Sequence, residues 1–149
     1  MITKANKIPE NISKPALMAL ARFADIFSAP GFSFGEWSKS SARDDGLLEW
    51  PFYHLSDEGS AFHNAVYNLG WIRPFNWSDW MKTPKAKALF ASPEGVAGAS
   101  VNDLRRMLTA IFRGERFCDG TLADAFETGI LTAIVQRAGV LLNETQGQS

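Results

Sequence analysis

Between two strongly helical segments stands Glu115-Arg116-Phe117-Cys118-Asp119-Gly120, which gathers two carboxylates, a guanidinium, an aromatic ring and the chain's only thiol. Such residues could do three kinds of chemistry. Arg113, Arg116 and the backbone N–H groups of Gly120 and Thr121 could cradle a small anion, because helix starts favour phosphate and carboxylate. Asp119 opposes that use, since a fixed carboxylate in the cradle repels an anion unless it first bonds the arginine. Glu115 or Asp119 could act as a general base, but acid–base work needs a partner group and a tuned pKa. Cys118 could be a nucleophile if Arg116 and the helix start stabilised its thiolate. It would also need a base, and no spacing brings His54 or His63 to it. The structural alternative is the one we favour. The carboxylates, Asp119 above all, sit near the positive end of the last helix, and Arg116 bridges Glu115, Asp119 or Glu127. Cys118 then packs as a small hydrophobe behind Phe117.

A second candidate surface lies in the middle of the chain, where all five tryptophans fall, at 37, 50, 71, 77 and 80. Most of these rings belong in the core, because large rings bury large areas. Trp77 and Trp80, flanked by Arg73 and Lys82, would form a partner-binding patch if exposed, since tryptophan and arginine are enriched at protein contacts. Lys82, Lys85 and Lys87 follow closely, so a nucleic-acid groove is also conceivable, but a protein contact ranks above it. The two histidines are nine residues apart, which is no recognised ligand spacing, and neither a metal nor a cofactor is expected. The chain has no G-x-S-x-G, no phosphate-binding glycine loop, no dinucleotide fingerprint and no H-E-x-x-H.

The elements that must position these residues are mostly helical. Ser13 followed by Pro15 opens a helix whose apolar positions Ala16, Leu20, Phe23, Ala24 and Phe27 recur until Ala29-Pro30-Gly31. Residues 31 to 55 lose that period and read as loop, with Phe32-Ser33-Phe34 and Leu48-Glu49-Trp50 as strand fragments. Ser56 caps a helix over about 57–69, with Phe62, Ala65, Val66 and Leu69 as its stripe. Four large rings between Trp71 and Trp80 predict a heavily packed turn. Thr83-Pro84 and Ser92-Pro93 each pair a cap with proline at the first helical position and open two short helices.

Ser100 and Asp103 form a capping pair before Val101, Leu104, Leu108, Ile111 and Phe112, with Arg106 and Arg113 projecting from the other side. The last helix opens near Thr121, with Asp124 completing an approximate capping box, and runs to about Leu142. Its apolar residues cover most of its circumference, the pattern of a central or interface helix. With helices on either side, the six-residue motif becomes the hinge of a helical hairpin.

At 149 residues the chain is long enough for one continuous core. We expect a single domain over 1–149 with loose ends at about 1–8 and 143–149. Its fold class is mostly all-α, a compact bundle of five to six helices with an irregular aromatic middle and a minor two-stranded piece. The net charge of -1 gives no strong field toward nucleic acid or an anionic membrane. Ile130 to Leu142 is too short and too interrupted to span a bilayer. The N-terminus lacks an apolar leader and one cysteine cannot form an internal disulfide, so the cytoplasm is the expected location.

Glu115 to Gly120, continued by Leu122, Ala125, Glu127, Gly129 and Ile130, resembles a family of small bacterial proteins of unknown function with an E-R-F-C-D-G pattern before a helix. Pro51-Phe52, the helix to Leu69 and Phe75-Asn76-Trp77-Ser78-Asp79-Trp80 form a second matching block. There a D-W-x-x-W pattern is expected and asparagine stands at 76. The resemblance covers about residues 48 to 138 and implies a bacterial or bacteriophage source with no established activity. We therefore expect a non-catalytic binding module, such as an inhibitor or adaptor that occludes a protein complex, with a homodimer through the last helix as a further expectation. The alternative is a small-molecule enzyme or sensor that takes an anionic ligand at the corner from Arg113 to Gly120.

Overall fold

A computed structural model describes residues 12–38, 41–42, 48–49, 53–118 and 120–147. The fold is mostly α-helical with small antiparallel β pairs. Helix α1 (Lys14–Ala21) starts where Ser13 Oγ accepts the Ala16 N–H at 3.2 Å. The single helix expected there is divided at Arg22, and α2 (Phe23–Ser28) follows. Ala16, Leu20, Phe23 and Phe27 are buried, as their spacing requires.

The strand expected at Phe32-Ser33-Phe34 lies just after those residues, at β1 (Gly35–Trp37), and Phe34 is a buried core ring. The other strands are β2 (Ser41–Ala42), β3 (Leu48–Glu49) and β4 (Tyr53–Leu55). Strand β1 pairs with β4 and β2 with β3, and one register runs through both ladders, from Gly35↔Leu55 to Ala42↔Leu48. Leu48 and Glu49 are strand as expected; Trp50, Pro51 and Phe52 lie outside the described residues.

Helix α3 (Asp57–Asn68) is capped by Ser56, whose Oγ accepts the Gly59 N–H at 3.0 Å. Leu69, expected on its apolar stripe, is exposed at the helix end. The aromatic segment that follows is less uniformly packed than expected. Trp71 is fully buried and donates its indole N–H to Ala16 O at 3.3 Å. A short helix, α4 (Trp77–Trp80), has no buried residue. Helix α5 (Pro84–Ala91) carries the predicted Thr83 cap. Ser92-Pro93 opens only a 3-10 turn (Pro93–Val96), without a side-chain cap bond.

Helix α6 (Val101–Glu115) has the predicted capping box: Asp103 N–H donates to Ser100 Oγ and Ser100 N–H to the Asp103 carboxylate, each at 3.0 Å. Leu104, Met107, Leu108, Ile111 and Phe112 bury its inner face. The long last helix is in fact two, α7 (Thr121–Glu127) and α8 (Ile130–Gly147), bent by 67°. The break sits at Gly129, whose φ of +86° puts the backbone in the left-handed region that side chains disfavour. A Cβ there would also lie 3.1 Å from Pro93 Cγ. Helix α8 extends past the expected end at Leu142, to Gly147.

The central reading of the last helix fits what α8 does inside the molecule. Leu131, Ile134, Val135 and Ala138 are buried, and α8 packs chiefly against α1 and α2. Arg137, the polar residue that needed a partner, donates to Ala99 O at 2.7 Å. Rings from four separate segments close the adjoining core: Phe27, Phe34, Phe62 and Phe126 meet edge-on or stacked, Phe34 and Phe126 with centroids 4.8 Å apart. Each such ring contributes about 1.5–3 kcal/mol on burial. No single helix among the described residues is long and apolar enough to cross a membrane.

Candidate functional site

The joint between α6 and α7 is held from within. Glu115, the last residue of α6, reaches across the turn and accepts the Leu122 N–H at 2.8 Å and the Gly120 N–H at 3.4 Å. Its carboxylate therefore caps the open N-terminus of α7, where the helix dipole favours negative charge. This role was expected chiefly of Asp119, which lies outside the described residues. The capping box expected from Thr121 and Asp124 does not form. Thr121 Oγ1 instead donates to Cys118 O at 2.8 Å, and Gly120 is the cap residue with φ +102°.

Glycine at 120 serves a second purpose. A Cβ there would lie 3.2 Å from the Trp37 ring, so the β1–β4 pair rests directly on the joint. Trp37 packs edge-on against Tyr53, with centroids 5.3 Å apart. Burial raises the Tyr53 pKa above its ordinary 10, and the negative charges of Glu127 and Glu115 raise it further. Alternation along β4 turns His54 to the opposite face from Tyr53. His63 packs instead between Tyr67 and Phe112. Neither histidine is therefore placed as a base for Cys118, whose side chain is exposed.

Arg113 is half-buried and Arg116 exposed. Among the described residues neither forms an ion pair with Glu115 or Glu127. Glu115 is bonded directly to the backbone instead of to Arg116, while the alternative bridge from Arg116 to Asp119 falls outside the described residues. Phe117 projects outward and is 81% exposed, so it does not cover Cys118 as a core ring would. Its neighbour is Trp77, with ring centroids 6.1 Å apart. The two surfaces read separately from the sequence, the corner and the aromatic middle, therefore meet in space.

The other residues proposed for the aromatic surface divide. Trp80 lies against the core and faces Phe75 and Phe90 edge-on. Arg73 is fastened to the scaffold. Its backbone N–H donates to Thr109 Oγ1 at 3.2 Å and its Nε donates to Gly70 O at 3.3 Å. Lys82 is exposed and 3.9 Å from Asp79, a solvated pair that contributes little. Sequence reasoning missed Arg105, nearly buried on α6, which donates to Asn102 and lies 5.5 Å from the Phe75 ring centroid. Burial lowers its pKa, as do the positive charges of Arg106 and Arg73.

Also missed was a cavity of about 370 Å³ behind the joint, lined by Met81, the segment from Phe90 to Pro93, and parts of α6, α7 and the start of α8. Five segments contribute to it, so no local spacing announces it. Among the described residues, no group of three or more His, Cys, Asp or Glu side chains is placed to hold a metal ion.

Neither the curated proteins nor the solved structures contain a match to this chain. A family described only as being of unknown function, DUF6508, matches residues 12–144, which include both candidate surfaces, the cavity and every helix up to the last turn of α8. The chain belongs to that family, DUF6508.

Proposed function

We propose that this chain is a non-catalytic protein-binding module whose contact surface is the ridge formed by the exposed Phe117 and the half-buried Trp77. The observation that carries this reading is the ring contact itself. Phe117, 81% exposed, stands on an internally capped joint and meets Trp77 from a separate helix. An aromatic pair with arginines close by in the sequence, here Arg113 and Arg116, has the composition of a binding hot spot. Such rings lose little conformational entropy when a partner covers them.

Within this reading the module is encoded by a bacterium or its phage and works by occlusion or bridging, as an inhibitor or adaptor of a protein complex in the bacterial cytoplasm. Fold-level analogy alone supports that finer assignment. Trp80 and Arg73 are held against the scaffold and Lys82 is solvated, so none of the three is the main contact. A homodimer through α8 would have only Val140 as a large exposed apolar group on that helix as far as residue 144. The Phe117 ridge is the larger apolar offering. For an anionic ligand at the corner, Arg113 and Arg116 remain available, but the Gly120 N–H is already bonded to Glu115. We therefore place the small-molecule reading of that corner second.

The test is affinity capture from an extract of the native host with the wild-type chain beside Phe117→Asp and Trp77→Ala. Circular dichroism verifies that both variants are folded. The proposal expects one stoichiometric protein retained by wild type and weakened at least about 30-fold in the variants, the effect of losing a hot-spot ring. Equal retention by all three chains would overturn it.

A further inference from the structure

We propose that the cavity behind the joint is a binding site for a small molecule with an apolar body and one ammonium group. Its volume of about 370 Å³ falls within the roughly 300–1,000 Å³ of small-ligand sites. Met81, Phe90, Pro93, Ile111 and Ile130 supply apolar walls. Met81 is a flexible side chain able to adjust to a ligand's shape.

The polar part of the lining selects for a donor. Asp124 is its one charged residue, and it stands exposed at the rim. The two threonine hydroxyls have already committed their protons: Thr121 Oγ1 donates to Cys118 O at 2.8 Å and Thr128 Oγ1 to Asp124 O at 2.9 Å. What both hydroxyls still offer is lone pairs. Ser92 can donate or accept. A carboxylate, two hydroxyls restricted to accepting and an apolar wall fit a cation that donates hydrogen bonds, and they disfavour an anion. This preference is opposite in sign to that of the arginine-bearing corner on the outer side of the same joint. The cavity site is thus independent of the proposed protein-binding ridge.

The test uses three probes with one apolar body: 2-phenylethylamine, 2-phenylethanol and 3-phenylpropanoate. Each is titrated into the wild-type protein while backbone amide shifts are followed by NMR. The amine is expected to shift amides of Ala110, Ile111, Ala125 and Ile130 and to bind about fivefold more tightly than the alcohol, as a partly solvated ion pair allows. The carboxylate is expected to bind more weakly than either. Asp124→Asn should bring the amine down to the alcohol's affinity, and Ala91→Leu, which narrows the mouth, should weaken amine and alcohol alike. The comparison of the three probes needs no variant and so stands whatever a substitution does to the fold. Three results would each overturn the proposal: no saturable amine binding up to roughly 10 mM, equal or tighter binding of the carboxylate, or shifts confined to residues away from the cavity.

Discussion

Replacing Glu115 by alanine removes the carboxylate that closes the α6–α7 joint, and the structure sets the size of the effect. The 2.8 Å bond to the Leu122 N–H is a full charge-assisted cap, whereas the 3.4 Å bond to Gly120 is long and adds little. Losing a cap costs about 1 kcal/mol, and losing a negative charge at a helix start costs about 0.5 kcal/mol more. The N–H groups left behind belong to buried residues, so water replaces the lost acceptor poorly. Glu115→Ala should therefore lower stability by about 1.5 kcal/mol, or Tm by about 3–6 °C for a chain of this length. Glu115→Gln keeps an oxygen acceptor without the charge and should lose about a third as much. Urea denaturation followed by circular dichroism measures both. If the alanine variant unfolds within about 0.3 kcal/mol of wild type, the carboxylate is not the cap and the joint is held by something else.

Two further predictions follow from the same neighbourhood. Gly129→Ala forces a side chain into a left-handed backbone position and against Pro93, so it should cost about 1–2 kcal/mol or more and lower Tm by several degrees in a thermal melt. An unchanged melt would mean that the α7–α8 bend does not depend on the glycine. The raised Tyr53 pKa means that the native state holds that proton more tightly than the unfolded chain does. Its contribution to stability is complete below pH 10 and is lost as pH rises through the higher native value. The chain has two tyrosines. A phenolate absorbance titration of wild type against Tyr53→Phe should therefore show the missing step above 10, and a step at or below 10 would contradict it.

Features that depend on three or four consecutive residues were legible in the sequence. Ser13, Ser56, Thr83 and Ser100 all cap as read, because an N-cap bond spans only three positions. The helical character of the chain and its family likeness were legible for the same reason. The bend at Gly129 was not, since a glycine within an apolar period is tolerated in a continuous helix, and the contact that decides the matter comes from distant Pro93. At the joint, the sequence concentrates ionisable groups but does not choose among them. Glu115 rather than Arg116 makes the decisive bonds because the last turn of α6 points its carboxylate across the turn. The meeting of Trp77 with Phe117, forty residues apart, and the five-segment cavity are products of packing alone.

The proposed function requires Phe117 to be a contact residue for another protein. The most direct measurement places a photo-crosslinking phenylalanine analogue at position 117 in the native host, with the same analogue at Met18, an exposed apolar position on α1, as the reference. Exposure at both sites keeps the substitutions within about 0.5 kcal/mol of wild type. On illumination, position 117 should give one discrete adduct to a different protein and position 18 should not. An adduct of twice the chain's mass would instead make the ridge a self-association surface, and no adduct at 117, or the same set of adducts from both positions, would contradict the proposed function.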